Sequence, residues 1–147
     1  MLQMEAVLQN IVFYGQTPQL TQRIFVVSAY AGVTDELLEN RKTGAPGIYT
    51  AFCESRDCKP LLENLRSHLV KLNEQFAPLG LDLHLAKNFI ENRIALLTHY
   101  LKSLSEVLAS GYVPSANLYA AAREMLASVG EAHAAFNMVN MMQHRGA

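Results

Sequence analysis

The segment Ser28–Asp35 (SAYAGVTD) is the first whose residue types and spacing could do chemistry. Its small residues predict a turn at the end of an apolar run, with a helix beginning at Thr34 as the N-cap. Free backbone N–H groups at a helix start bind anions, and small side chains let a ligand approach the backbone. The pattern therefore indicates an anion-binding turn. An ordinary capped turn would show the same residues and is the commoner case.

A second candidate lies further along, where Glu124, Ser128 and Glu131 are spaced i, i+4, i+7. This spacing places them on one face of a predicted helix, beside its apolar stripe. A carboxylate next to Gly130 would accept hydrogen bonds from a substrate ammonium or hydroxyl group. Two structural explanations compete with this one. Ser128–Glu131 could be a capping box that starts a new helix, or the glutamates could form a solvated stripe.

Other kinds of site find little support in the sequence. Cys53 and Cys58 are the two cysteines, and without a second pair they predict reduced thiols and no zinc site. The five histidines are scattered along the chain. Neither of the common glycine-rich phosphate loops nor a nucleophile elbow is found. We therefore expect no bound metal and no nucleotide-binding residues in this chain.

Composition restricts the class of protein. The chain has 147 residues, half of them apolar, which predicts one folded domain. Its formal net charge of -1 lacks the basic footprint of a nucleic-acid-binding protein. No apolar run reaches the roughly 18–20 residues of a membrane span, and the first residues do not resemble a signal peptide. We expect a cytoplasmic protein with neither nucleic acid nor membrane as a partner.

Apolar periodicity predicts a mostly helical chain with one strand. Residues 23–28 are short, β-branched and apolar on both faces, which is typical of a buried parallel strand. Such a strand needs neighbours for its backbone hydrogen bonds, so its partners must be missing or belong to another chain. The short connection at 110–114 predicts that the two longest helices pack antiparallel. The predicted helices cover about 3–14, 34–43, 47–55, 59–76, 82–109 and 114–144.

At the two candidate sites the sequence resembles the aspartate kinases of the amino acid kinase family. Val26–Asp35 (VVSAYAGVTD) looks like their strand–turn–helix, and Ser128–Glu131 (SVGE) looks like their Ser-x-Gly-Glu motif. The order and separation of the motifs also fit, and the resemblance covers nearly the whole chain. Ile24–Tyr30 and Arg123–His133 look most like the aspartate kinases found with ectoine synthesis.

The resemblance implies an α/β fold, here a mostly helical fragment of an αβα sandwich with one strand at about 23–28. It implies a single partial domain over 1–147, the N-terminal part of the catalytic domain, in which 46–113 is the helical insert. The family transfers the γ-phosphoryl group of ATP, with Mg²⁺, to the side-chain carboxylate of L-aspartate. By resemblance Ser28 is catalytic, while Thr34 and Glu131 bind aspartate.

The chain departs from the family pattern in one important way. Aspartate kinases begin with a Lys-x-Gly-Gly-Thr-Ser strand, and nothing like it precedes Met4. The resemblance therefore implies a segment that is inactive alone, binds L-aspartate weakly or not at all, and holds no ATP or Mg²⁺. An alternative is a helical interaction module without a catalytic role. Under either hypothesis the apolar stripes and the unpaired strand predict a homodimer or larger assembly.

Overall fold

The computed structural model describes residues 2–13, 24–40 and 42–145, and these residues are mostly helical. Between the helices, Ala77–Leu79 forms a short 3-10 turn. The one β interaction in the described residues is an isolated bridge between Glu39 and Pro46. The helices are α1 (Leu2–Val7, continued by a π-helical turn Leu8–Val12), α2 (Val33–Leu37), α3 (Ile48–Cys53), α4 (Lys59–Glu74), α5 (Leu83–Ser110) and α6 (Ser115–His144).

Helices α5 and α6 form the antiparallel pair that the sequence predicts. The Asp82 side chain caps α5 by accepting hydrogen bonds from the backbone N–H groups of His84 and Leu85. Gly111 ends α5 in the left-handed conformation with φ of 71°. At the other end of the pair, the Asp82 N–H donates to Oδ1 of Asn140 at 2.8 Å. The start of α5 therefore lies beside the end of α6.

The larger of two hydrophobic clusters lies where α4, α5 and α6 pack together with α2 and α3. The predicted apolar stripe of α5 is confirmed, because Ile90, Leu97 and Leu101 are buried there. In α6 the spacing predicts an apolar stripe, and this prediction is partly wrong. The predicted members are Leu118, Ala122, Met125, Val129, Ala132, Phe136 and Val139. Leu126, which the predicted stripe omits, is completely buried, whereas Val139 is 52% exposed. Since α6 is packed by several helices, its buried surface is wider than one stripe.

The second cluster joins the first helical segment to the far end of the α5–α6 pair. Leu8 and Val12 of the π-helical turn are buried against Met138 and Met141 of α6. Phe25 and Val27 pack at the edge of this cluster and are partly buried. The segment before the candidate turn is therefore held by side-chain contacts.

The predicted strand at 23–28 and the α/β fold class are both wrong for the described residues. Arg23 lies outside those residues, and Ile24–Ser28 is extended without any strand pairing. Ile24 and Val26 are 93% and 92% exposed, while Phe25 and Val27 turn toward the second cluster. The β-branched pattern is that of a strand, but no neighbouring strand is present in the described part of the chain to form a ladder.

The short helix after the turn also differs from its prediction. It begins one residue before Thr34, with Gly32 as the N-cap at φ 85°, and ends at Leu37. The predicted continuation of this helix is replaced by a turn, in which the Asn40 side chain accepts hydrogen bonds from the backbone N–H groups of Lys42 and Thr43. Asparagine favours such local turns over helix.

Candidate functional site

The two sequence motifs meet where the turn before α2 packs on α6. Gly130 makes this possible: a Cβ atom there would lie 2.6 Å from Cβ of Ala29 and 3.3 Å from Cγ1 of Val33. No real Cβ tolerates the first distance, so the turn can lie this close to α6 only across a glycine. The neighbours of this contact are Ser28 on the turn and Glu131 on the helix.

Thr34 lines a small cleft of about 80 Å³ between α2 and α6. Arg123 of α6 and Tyr49 of α3 line the same cleft, together with Asp35 and Glu39. The cleft thus contains one cation, two carboxylates, a hydroxyl and a phenol. Groups of both signs in one small space suit a zwitterionic ligand, such as an amino acid.

Tyr49 is a neutral hydrogen-bonding group in this cleft. A hydrogen bond with the Cys53 thiol, followed by burial, raises the pKa of the Tyr49 phenol above its ordinary value. The phenol therefore stays protonated near neutral pH and adds no negative charge beside Arg123. This leaves the guanidinium free to attract a carboxylate.

The other predicted site residues stand at the surface. Ser28 and Glu131 are exposed, and neither lines the Thr34 cleft. The hydroxyl of Ser128 donates to the backbone oxygen of Met125 at 2.8 Å, and α6 continues unbroken through Gly130. The capping-box explanation is therefore wrong. Glu124 is exposed as well, as the solvated-stripe explanation requires.

Sequence reasoning missed Arg123 and Tyr49 as members of the site. Arg123 belongs to the quoted motif region, but nothing in its spacing distinguishes it from a solvated arginine. The prediction that a helix N-terminus supplies the positive charge is weakened, because α2 has five residues and its dipole is correspondingly small. Arg123 provides the stronger positive charge in the cleft.

A buried polar network holds the turn from the other side. The amide Nδ2 of Asn137 donates to Oδ1 of Asn73 at 2.7 Å and to the hydroxyl of Tyr30 at 3.3 Å. His133 Nε2 lies 2.9 Å from the same Asn73 oxygen, and its ring packs edge-on against Tyr30 at 5.5 Å. Burial, with a smaller contribution from His68, lowers the pKa of His133 to about 4. The imidazole is therefore neutral at pH 7.

No group of three or more histidine, cysteine, aspartate or glutamate side chains in the described residues could hold a metal ion. Cys53 and Cys58 are both free thiols. None of the described helices combines the length and the apolar character that a membrane span requires.

Comparison with known proteins supports the resemblance in the motifs. The chain is 40% identical to aspartate kinase Ask_Ect of Stutzerimonas stutzeri (strain A1501) over 99% of its own length. It spans 32% of that protein, or about a third of its length. No protein family model and no solved structure matches the chain. The predicted resemblance to an ectoine-type aspartate kinase is confirmed, as a likeness to a segment of such an enzyme.

Proposed function

We propose that this chain forms the aspartate-binding part of an aspartate kinase, an enzyme that phosphorylates the side-chain carboxylate of L-aspartate with ATP. One observation carries the proposal. The close contact between Gly130 and Ala29 brings together the two motifs that resemble the family's substrate-binding segments. The similarity to an aspartate kinase over nearly the whole chain supports the same conclusion.

The charges in and near the cleft give each residue a role. Arg123 binds a carboxylate of aspartate, and the Thr34 hydroxyl donates a hydrogen bond beside it. Glu131 lies next to the motif contact and attracts the α-ammonium group. Ser28, on the exposed turn, lies close to the reacting groups. Phosphoryl transfer depends mainly on positioning and charge neutralisation, so these residues orient the acceptor.

We propose that the nucleotide is bound outside this chain. ATP carries Mg²⁺ in phosphoryl transfer, and the sequence has neither of the common glycine-rich phosphate loops that would hold its phosphates. We therefore assign no residue here to ATP or Mg²⁺, and we expect the isolated chain to make no aspartyl phosphate. The enzyme that contains this segment would work in the cytoplasm, in amino-acid biosynthesis.

An NMR titration of the labelled chain with L-aspartate tests the site directly. We expect weak binding, with a Kd of order 1 mM (about −4 kcal/mol), because the site is open and small. The changes in amide chemical shift should be largest at Thr34, Arg123 and Glu131. Arg123→Gln should weaken binding at least about fivefold through the lost charge-assisted hydrogen bond, whereas Arg93→Gln, an exposed arginine on α5, should not.

A second pair of variants, one test and one control, examines where the α-ammonium group of aspartate binds. Glu131→Gln should weaken aspartate binding, and Glu124→Gln, at another exposed glutamate two turns earlier on α6, should leave it unchanged. Succinate, which lacks the ammonium group, should bind more weakly than aspartate. Shifts that spread over other parts of the chain, or equal binding of succinate, would contradict the proposal.

A second candidate function is a helical interaction module. The observation in its favour is the extended segment before the turn, where Ile24 and Val26 are almost completely exposed. An unpaired extended backbone with apolar side chains can add to a sheet of another chain. This function requires no aspartate binding, so the titration above separates the two candidates.

A further inference from the structure

A second cavity in the described chain is larger than the aspartate cleft and lies away from it. It has a volume of about 630 Å³ and opens between the start of α4, the second half of α5 and the start of α6. Cavities of this size hold drug-sized molecules. It shares no lining residue with the Thr34 cleft. Tyr119 at its wall and Glu131 lie on the same helix, separated by about 18 Å of helix rise.

The floor of this cavity is apolar and partly aromatic. Phe52 and Tyr119 meet edge to face with ring centroids 6.1 Å apart. Leu62 and Leu101, both buried, and the half-buried Leu108 complete the apolar surface. Aromatic and aliphatic walls of this kind bind a ligand's apolar body and leave its polar groups for the rim.

The side chains that line the rim include more cations than carboxylates. Three cationic side chains line the cavity, Arg56, Lys59 and Lys102, against one carboxylate, Asp57. Arg56 pairs with Glu54 at 2.6 Å, and Lys102 lies 3.9 Å from Glu106. The Lys59 ammonium forms no ion pair with any described residue, so its charge is available to a ligand.

The polar groups of the cavity add donors for an anion and no further negative charge. The Ser115 hydroxyl has no hydrogen-bond partner among the described residues, whereas those of Thr98 and Ser105 donate to carbonyls of α5. Burial, and then the nearby Asp57 charge, raise the pKa of the Cys58 thiol. Cys58 therefore stays neutral near pH 7. Lys59 and Ser115 remain as donors above an apolar floor.

We propose that this cavity binds a small organic anion with an apolar, preferably aromatic, body. The anionic group lies at the rim beside Lys59 and Ser115, and the apolar body fills the space beside Phe52 and Tyr119. Phe52 belongs to α3, the helix that also places Tyr49 in the Thr34 cleft. A ligand bound here therefore touches an element that shapes the aspartate site.

The test uses 8-anilinonaphthalene-1-sulfonate, a fluorescent organic anion with an aromatic body, and N-phenyl-1-naphthylamine, its analogue without the sulfonate. We expect saturable binding of the anion with one site per chain, and clearly weaker binding of the neutral analogue. Lys59→Glu should weaken anion binding about fivefold or more, as reversal of an exposed charge does. Lys71→Glu, an exposed lysine on α4 outside the cavity, should have no effect.

A variant that fills the cavity tests where the anion binds, without changing the charge of the chain. Ser105 is exposed at the cavity wall, so Ser105→Trp should occupy the space and abolish saturable binding while far-UV circular dichroism stays unchanged. Equal affinity for the neutral analogue, equal effects of Lys59→Glu and Lys71→Glu, or unchanged binding to Ser105→Trp would overturn the proposal. So would a change in sedimentation with Ser105→Trp, which would identify the cavity as an interface between copies.

Discussion

At the scale of single residues, the most informative group is the buried trio Asn73, His133 and Asn137. Each is at most 2% exposed, and each retains one side-chain atom without a hydrogen-bond partner in the described structure. Buried polar groups are costly unless they are satisfied. The three side chains bond to one another, and His133 and Asn137 also contact Tyr30, so the group connects α4 and α6 to the turn that carries Ser28.

The titration of His133 predicts how stability depends on pH. The unfolded chain takes up a proton near pH 6.5, but the buried imidazole resists protonation down to about pH 4. The free energy of unfolding should therefore fall as pH drops from about 6.5 to 4, by an amount on the order of 2–3 kcal/mol. Above pH 6.5 this contribution is constant, since both states are neutral.

Urea unfolding between pH 4.5 and 7.5 measures this dependence. His133→Gln should flatten the slope between pH 5 and 6.5, because glutamine does not titrate. His84→Gln, at an exposed position on α5, should keep the slope of the parent chain. An unchanged slope in His133→Gln would show that another group is responsible.

At the scale of elements, the extended segment Ile24–Ser28 shows a difference between the structure its sequence favours and the structure it adopts. Its β-branched residues favour a strand, yet none of its backbone N–H groups donates to another described backbone group. Phe25 and Val27 hold one side of it against the second cluster, and the opposite side faces solvent. Burial of alternate side chains thus positions the turn without a sheet.

Hydrogen–deuterium exchange checks this arrangement. Amides of residues 25–29 should exchange within the dead time of the experiment, because none of them donates a hydrogen bond to a described residue. Amides of residues 94–101 in α5 should be protected by orders of magnitude, since they lie in the middle of a packed helix. Strong protection of residues 25–29 would instead show that the segment is paired, for example with another copy.

At the scale of the whole molecule, two features bear on assembly. Ile24 and Val26 present an apolar edge beside a backbone that pairs with no described residue, and such edges associate with other chains. The larger cluster, in contrast, is buried among five helices. We therefore propose that association, in a homodimer or larger assembly, takes place through the extended segment.

Light scattering over a wide range of protein concentration tests this proposal. The parent chain should be a dimer or larger, and the double variant Ile24→Lys, Val26→Lys should shift it toward the monomer by placing charges on the edge. Leu96→Lys, at another exposed apolar position on α5, is the matched control and should not. A parent chain that is strictly monomeric would contradict the proposal.

The sequence by itself determined the features that depend on local periodicity and on motifs. The approximate bounds of α4, α5 and α6 followed from apolar spacing and from the short connection at 110–114. The two motifs were also sufficient for the likeness to an aspartate kinase. Both kinds of feature depend only on residues that are close together in the sequence.

Only the tertiary structure decided the features that join distant residues. Whether Ile24–Ser28 forms a strand depends on a neighbour elsewhere in the chain, and none is described. Arg123 joined Thr34 and Tyr49 in one cleft because Gly130 lets the turn lie against α6. Periodicity specifies which side of a helix is buried, but it does not specify which side chains from other helices meet it.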